Sequence, residues 1–415
     1  MTKRFWYWCL AFTAVLAISL AVWGPVASAA NVRSGTITVG ELFPFTGTKA
    51  ELSAWGVHGD AAAIHDVNSH GGVMGKQLVT TTADTAGDAV DAVPALRQLL
   101  TKSPSVIIGP FSLVIESVIR DFGPAHTVDF MIGGTTQLDH MQYPYVFRTA
   151  DSDSDEVVAM AYYAIHQGHK RAAFVFDNSA NTQGLVAPLR RSYTRQGGKV
   201  VANVTIVPDQ SSYRSEVIKA FAQHPNVVFI AFDEQTATTF FAAARELGHL
   251  NVQYIGEDVI ESPGYAKAMG QPQARFNLLA AAGAPPGGAA YKHFLDDYQA
   301  VYHTRQALPS TYNMYDAVII AALAMTDARS SNPAVWVHKV TAVSNPPGHA
   351  CSTYASCVSL LKKGKKINYE GASGPDDFNQ YHNVSGGFAI SGFNRNDQLR
   401  EVAYIGPKTI ASHRG

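Results

Sequence analysis

From residue 36 onward, short runs rich in apolar and β-branched residues alternate with longer segments whose apolar positions recur at helical spacing. The runs at 36–43, 77–82, 106–108 and 130–132 predict strands, and the segments at 52–69, 94–102 and 113–120 predict helices. The first of these helices runs into Gly71-Gly72, which suits a glycine-terminated helix. Strands that are apolar on both faces, separated by amphipathic helices, predict a parallel sheet covered on both sides.

The rhythm then restarts. The acidic stretch Asp151-Ser152-Asp153-Ser154-Asp155-Glu156 can cap a helix running to Gln167. Strands are predicted at 172–176, 200–207, 227–232 and 252–255, with helices at 185–196, 215–223 and 237–247. A strand at 278–282, a Gly/Pro loop at 283–288 and helices at 289–303 and 312–327 follow, and the tail from 344 reads as turns and short strands. The halves share an architecture without a sequence repeat. This pattern fits two α/β lobes joined by several crossings; two independent doubly wound domains would look similar.

Length and charge narrow the classes. A chain of 415 residues with 47% hydrophobic residues is too long for one ordinary core and too apolar for disorder. Its 32 basic and 33 acidic residues leave a formal charge of −1, which removes the usual reason to expect nucleic acid as partner. The first thirty residues have the parts of a secretory signal: Lys3 and Arg4, an apolar run over 10–22, and the small-residue site Ala27-Ser28-Ala29. That run is shorter than the roughly 20 residues a membrane span needs. Cys9 precedes it and is misplaced for lipid attachment, so an exported, untethered protein of the periplasm is expected. Of three cysteines, Cys351 and Cys357 then remain, close enough in an oxidising compartment to close a small disulfide loop. His349 alone does not make them a metal site.

Several segments, in order, resemble the type I periplasmic binding proteins of the Leu/Ile/Val-binding kind. Thr36-Ile37-Thr38-Val39-Gly40 with Phe45-Thr46-Gly47 resembles the family's first strand and Ser/Thr-Gly loop. Val67-Asn68-Ser69-His70-Gly71-Gly72-Val73-Met74-Gly75-Lys76 is similar to its Asn-x-x-Gly-Gly-x-x-Gly stretch. Ile108-Gly109-Pro110, Phe147-Arg148-Thr149 and Ile367-Asn368-Tyr369-Glu370-Gly371-Ala372-Ser373-Gly374-Pro375 resemble later family segments. The resemblance implies a Venus-flytrap fold: two doubly wound α/β lobes joined by three crossing segments, with the ligand between them. The first lobe would combine residues 31–150 with 278–377, and the second 151–277 with 378–415, behind a signal peptide at 1–30.

In open α/β sheets ligands bind beyond the carboxyl ends of the strands, so the loops after each strand are the places to search. Aligned with the family, these loops offer Ser112, Leu113, Gly134 and Thr136 for a ligand carboxylate, and helix N-terminal amides suit an anion on physical grounds too. Leu113 stands where amino-acid binders place a second serine, which weakens the case for a standard α-carboxylate. Asp258 falls at the position of the acid that receives the ligand's ammonium group. Asn181 and Asp233 occupy positions that are aromatic in the amino-acid binders, and Asp233 with Asp258 would favour extra amine or amide donors. Trp55 could roof the pocket or simply pack at a helix start. Ser112 and Thr136 could instead cap helices, and Asp258 could hold its own loop.

No nucleophile–base pair, metal-ligand spacing or cofactor loop stands out. The fifteen histidines show no His-Glu-x-x-His or comparable cluster, although His58 and His65 share a helix face. Gly71 to Lys76 follows a helix rather than a strand, unlike a phosphate loop, and 362–366 reads as a solvated basic turn. The expectation is therefore a monomeric, non-enzymatic, cofactor-free receptor that passes a small solute to an ABC-type permease. The solute would be an amino acid or analogue, with amides, urea-like compounds and aromatic acids as alternatives. A sensor feeding a membrane signalling receptor is the rival reading.

Overall fold

A computed structural model describes residues 35–414. The expected signal peptide, its cleavage site and Cys9 lie outside the described residues.

Two sheets organise the chain. The first contains β1 (Thr36–Phe43), β2 (Gln77–Asp84), β3 (Val106–Phe111), β4 (Asp129–Ile132) and β5 (Val146–Arg148), in the order β2-β1-β3-β4-β5. Every pairing in it is parallel. Helices α1 (Ser53–Ser69), α2 (Ala89–Thr101) and α3 (Ile115–Val118) connect these strands. Alternation along β3 divides its side chains between the two faces. Val106 and Ile108 join the core beneath α1, while Ile107 joins the core beneath α2 and α3.

The second sheet contains β6 (Arg171–Asp177), β7 (Lys199–Ile206), β8 (Val227–Ala231), β9 (Gln253–Gly256) and β10 (Leu278–Ala284), and is completed near the end of the chain. Its helices are α4 (Asp153–His166), α5 (Ala180–Arg195), α6 (Arg214–Phe221), α7 (Glu234–Glu246), α8 (Pro263–Met269) and α9 (Gln273–Asn277). Ala173, Val175, Val228 and Ile230 pack toward α6, α7 and α8; Ala172, Phe174 and Phe229 pack toward α4 and α5.

The chain then returns to the first sheet with α10 (Gly288–Tyr302) and α11 (Thr311–Ala328). Helix α11 is buried from Thr311 to Met325 and fills the first core beside α1. Short helices α12 (Pro333–Trp336) and α13 (Val340–Ser344) precede a small parallel pair, β11 (His349–Cys351) and β12 (Ile367–Tyr369), with α14 (Tyr354–Lys362) between its strands. The Cys351–Cys357 disulfide ties β11 to α14. The last crossing leads to β13 (Gly387–Phe393), antiparallel to β10, and β14 (Leu399–Ile405), antiparallel to β13, which extend the second sheet, and then to α15 (Pro407–His413).

The order of the second sheet is therefore β14-β13-β10-β9-β8-β6-β7. The chain passes between sheets after β5, after β10 and before β13. Each sheet with the helices packed on it forms one lobe. One expected border moves: the sequence places residues from 278 in the first lobe, yet β10 pairs with β9 and β13 in the second sheet. The apolar run of β10 suits either sheet, so its partner strands decide the matter.

Two motifs have clear local causes. The Asn68 side chain donates to Leu78 O at 2.9 Å and accepts from Leu78 N at 2.8 Å, tying the end of α1 to β2. Between them Gly72 adopts φ +69° with the Lys76 carbonyl where a Cβ would stand, so only glycine fits. Among the described residues, no helix is long and apolar enough to cross a membrane.

Candidate ligand site between the lobes

The carboxyl ends of both sheets face each other where the first crossing leaves β5. Arg148, at the end of β5, is buried and holds this junction. Its guanidinium donates to Asp139 Oδ1 at 2.8 Å and to the carbonyls of Thr135 (3.2 Å) and Gly134 (3.3 Å). Asp139 also accepts from Ser152 Oγ at 2.5 Å and Ser154 Oγ at 2.6 Å. The loop after β4 is thereby fastened to the start of α4, whose first turn is capped by Ser152.

Gly134 sits at the seam. Its carbonyl accepts from Asp153 N at 2.8 Å, and a Cβ at Gly134 would overlap Asp153 Oδ1. Ser112 Oγ lies 3.5 Å from Thr135 N on the same loop. Thr136 opens a single 3-10 turn, Thr136–Leu138, and its hydroxyl lies against Gly184 of α5. Asn181 lies in the first turn of α5, where its amide partly offsets the charge on Asp153. Asp258 begins the turn after β9, and its backbone N–H donates to Glu156 Oε1 at 2.8 Å.

The fold thus gathers Ser112, Gly134, Thr136, Asn181 and Asp258 at one junction. Asp233 lies on the same side of the second sheet. Its carboxylate caps α7, accepting from Thr236 N at 2.7 Å and Thr236 Oγ1 at 3.1 Å. Leu113 is 49% exposed. Trp55 packs half-buried on the first core, the packing role weighed for it above.

The sequence patterns did not reveal how many carboxylates surround Asp258. Burial lifts Asp153 to about 7, with further repulsion from Asp258. Burial likewise lifts Glu261 to about 7, again with repulsion from Asp258. Glu156 and Glu257 are raised well above the usual carboxylate range, first by burial and then by their acidic neighbours. Asp258 itself is solvent-exposed yet hemmed in by protein, and burial raises it too. These two properties belong together in a crevice, where water reaches a group that protein surrounds on most sides. Glu257 is only 6% exposed, and its Oε1 has no hydrogen-bond partner. Arg148 offsets part of the charge on Asp153.

Chemically, the second-lobe wall is an array of acceptors short of donors, and the first-lobe wall offers small hydroxyls and backbone groups. Signals for the missing acids were present: Asp153 and Glu156 belong to the acidic run read only as a cap, and Glu257 adjoins Asp258. What sequence could not supply was their convergence, since Glu156 and Asp258 are 102 residues apart.

Residues 36–394 match the family model described as "Periplasmic binding protein". The chain belongs to that family. Periplasmic binding proteins are solute-binding proteins rather than enzymes, and the two-lobed α/β fold described above is theirs. A relative from Rhizobium johnstonii, the Leu/Ile/Val-binding protein BraC3, is 26% identical over 220 residues, 52% of this chain and 58% of that protein. The chemotactic signal transduction system substrate-binding protein BasB of Halobacterium salinarum is 24% identical over 367 residues, 82% of this chain and 83% of that one. The match to BraC3 therefore spans little more than half of either protein, whereas that to BasB runs through most of both. Among solved structures, the branched-chain amino acid transporter substrate-binding protein LivJ of Streptococcus pneumoniae, in complex with isoleucine, superposes with a TM-score of 0.68. At 20% identity over 89% of this chain and 99% of that one, this likeness establishes the fold.

Proposed function

We propose that this periplasmic binding protein captures a small amino-acid-like solute bearing a cationic nitrogen and delivers it to an ABC-type permease. The observation that carries the reading is the unpartnered Glu257 Oε1 beside Asp258, Asp153 and Glu156. A buried carboxylate without a donor is costly, and a ligand ammonium supplies charge-assisted hydrogen bonds to several at once. Ser112, Gly134 and Thr136 hold the opposite end of the solute with hydroxyl and backbone groups, and Leu113 leaves that end less polar than a serine would. Contacts to both lobes favour the closed form, which the permease recognises. The protein acts as a monomer in the periplasm, exported by its N-terminal signal.

A thermal-shift screen of amino acids, amines, amides, urea-like compounds and aromatic acids tests this, because a tight ligand raises apparent stability by mass action. Amine-bearing solutes should stabilise the protein, with calorimetry giving one site per chain. Stabilisation by anionic or neutral solutes alone overturns the assignment.

The length of the match to BasB favours a second reading, in which the same closed form reports the solute to a membrane signalling partner. Pull-down of a permease or of a signalling receptor by the ligand-loaded protein separates the two.

A further inference from the structure

A second cluster lies within the first lobe, between α1 and α10. Asp66, His293 and Asp297 each direct one ligand atom into a space where these atoms lie within 4.8 Å of one another. His293 Nε2 is 3.4 Å from Asp66 Oδ2 and 3.4 Å from Asp297 Oδ2. Charge-assisted hydrogen bonds are shorter, about 2.7–2.9 Å. The His293–Asp66 contact is thus a long hydrogen bond, and both separations also equal the edge of a tetrahedron with metal–ligand bonds of about 2.0–2.1 Å, which is about 3.4 Å.

Three further observations bear on the cluster. Asp66 is fully buried, and its Oδ1 is paired with His70 Nδ1 at 2.8 Å, which leaves Oδ2 to face His293. The same His70 nitrogen also lies 2.8 Å from the Asp66 backbone carbonyl. The Tyr315 hydroxyl lies 2.9 Å from Asp66 Oδ2 and 3.1 Å from Asp297 Oδ2, where it helps to fix both carboxylates as a supporting group around a metal does. His65 Nδ1 is 3.3 Å from Asp297 Oδ1 on the solvent side, and the half-exposed His293 leaves a path for entry.

We propose that Asp66, His293 and Asp297 bind one divalent transition-metal ion, zinc in preference to magnesium or calcium, with the fourth position taken by water. An imidazole with two carboxylates suits zinc and its neighbours, whereas magnesium and calcium prefer oxygen alone. The ion would pin α10 to α1 and stabilise the first lobe. The sequence concealed the site because α1 supplies one ligand and α10 the other two, 227 residues further on; the only local trace is the i, i+4 pair His293 and Asp297.

The test is calorimetric titration of zinc into the chelator-treated, full-length mature protein. One saturable site is expected, weakened about 100-fold or more in His293→Ala and in Asp297→Asn, with metal-free melting of both variants close to that of the wild type. Cobalt(II) should give the visible absorption of a tetrahedral site in the wild type only. X-ray absorption of the wild-type zinc complex should show a nitrogen/oxygen shell at about 2.0 Å, a readout that survives if a variant fails to fold. Absence of saturable binding, equal binding by the variants, or a six-oxygen shell overturns the proposal.

Discussion

Thr136 of the first lobe lies against Gly184 of the second, so closely that an ideal Cβ on Gly184 would stand 2.5 Å from the Thr136 hydroxyl oxygen. The two lobes meet here through a hydrogen atom where other residues carry carbon. Gly184 lies inside α5, where alanine is favoured over glycine by about 1 kcal/mol. Gly184→Ala should therefore leave the unliganded melting temperature unchanged or slightly raised, while ligand affinity falls about tenfold as closure meets the new methyl group, a loss of about 1.4 kcal/mol. Calorimetry beside a thermal melt checks both halves. An unchanged affinity would mean that the liganded lobes do not approach at this point.

Asp258→Asn and Glu257→Gln remove charge while nearly preserving shape. Hydrogen bonds to charged groups contribute about 1.5–3 kcal/mol, so each variant should bind an amine-bearing solute about 10- to 100-fold more weakly. Asp233→Asn should change affinity much less, because the Asp233 carboxylate is engaged by Thr236 at the start of α7. Equal losses in all three variants would contradict the separation drawn between them.

The crevice acids make stability and affinity depend on pH in opposite directions. Burial raises Asp153 from 3.8 and Glu261 from 4.5 to about 7 in the folded chain. A carboxyl raised on folding favours the folded state fully below its unfolded pKa and loses that contribution as pH rises through the folded value, here from about pH 4 to about pH 7. The unliganded melting temperature should decline across that window, and Asp153→Asn should flatten the decline. Affinity for a cationic solute should rise over the upper part of the same window as the acids ionise. Calorimetry at about pH 5.5, 6.5 and 7.5 reads this directly, and a flat series would count against the acids as ligand contacts.

Asp316, buried in α11, organises the late segment that follows β12. Its carboxylate accepts from Tyr369 Oη at 2.7 Å, Ala372 N at 2.9 Å, Ser373 N at 2.6 Å and Ser373 Oγ at 2.6 Å. Asp316→Ala strands those donors in the core and should destabilise the protein by about 3 kcal/mol or more. Urea denaturation followed by tyrosine fluorescence measures the loss. A loss near 1 kcal/mol or below would show that water replaces the carboxylate.

Much of the fold was legible because the central strands β3, β4, β6 and β8 are short and buried on both faces. The run at 36–43 corresponds to β1, and those at 172–176 and 227–232 lie within a residue of β6 and β8 at each end. Helix starts were less legible. The apolar spacing starts these helices at Pro94 and Leu185, yet Asp88 and Ser179 cap them several residues sooner, and each helix carries a proline inside it. The tail was read as turns and short strands, but it supplies two seven-residue strands to the second sheet. Those strands are glycine-rich or exposed along much of their length, so their own pattern is weak and their pairing is long-range. The candidate site was legible one residue at a time through position after a strand. Its charge was not, because repulsion among Asp153, Glu156 and Glu257 depends on distances that only folding sets.

The second sheet is assembled from stretches of chain that synthesis and export deliver far apart in time. Strand β10 can join β9 early, but its other edge must wait for residues 387–393, after α10, α11 and the whole β11–β12 excursion have passed. Until then the exposed side of β10 is an open strand edge, a template for wrong pairing. A chain truncated before β13 should therefore be a substrate for holding chaperones and proteases rather than a smaller receptor.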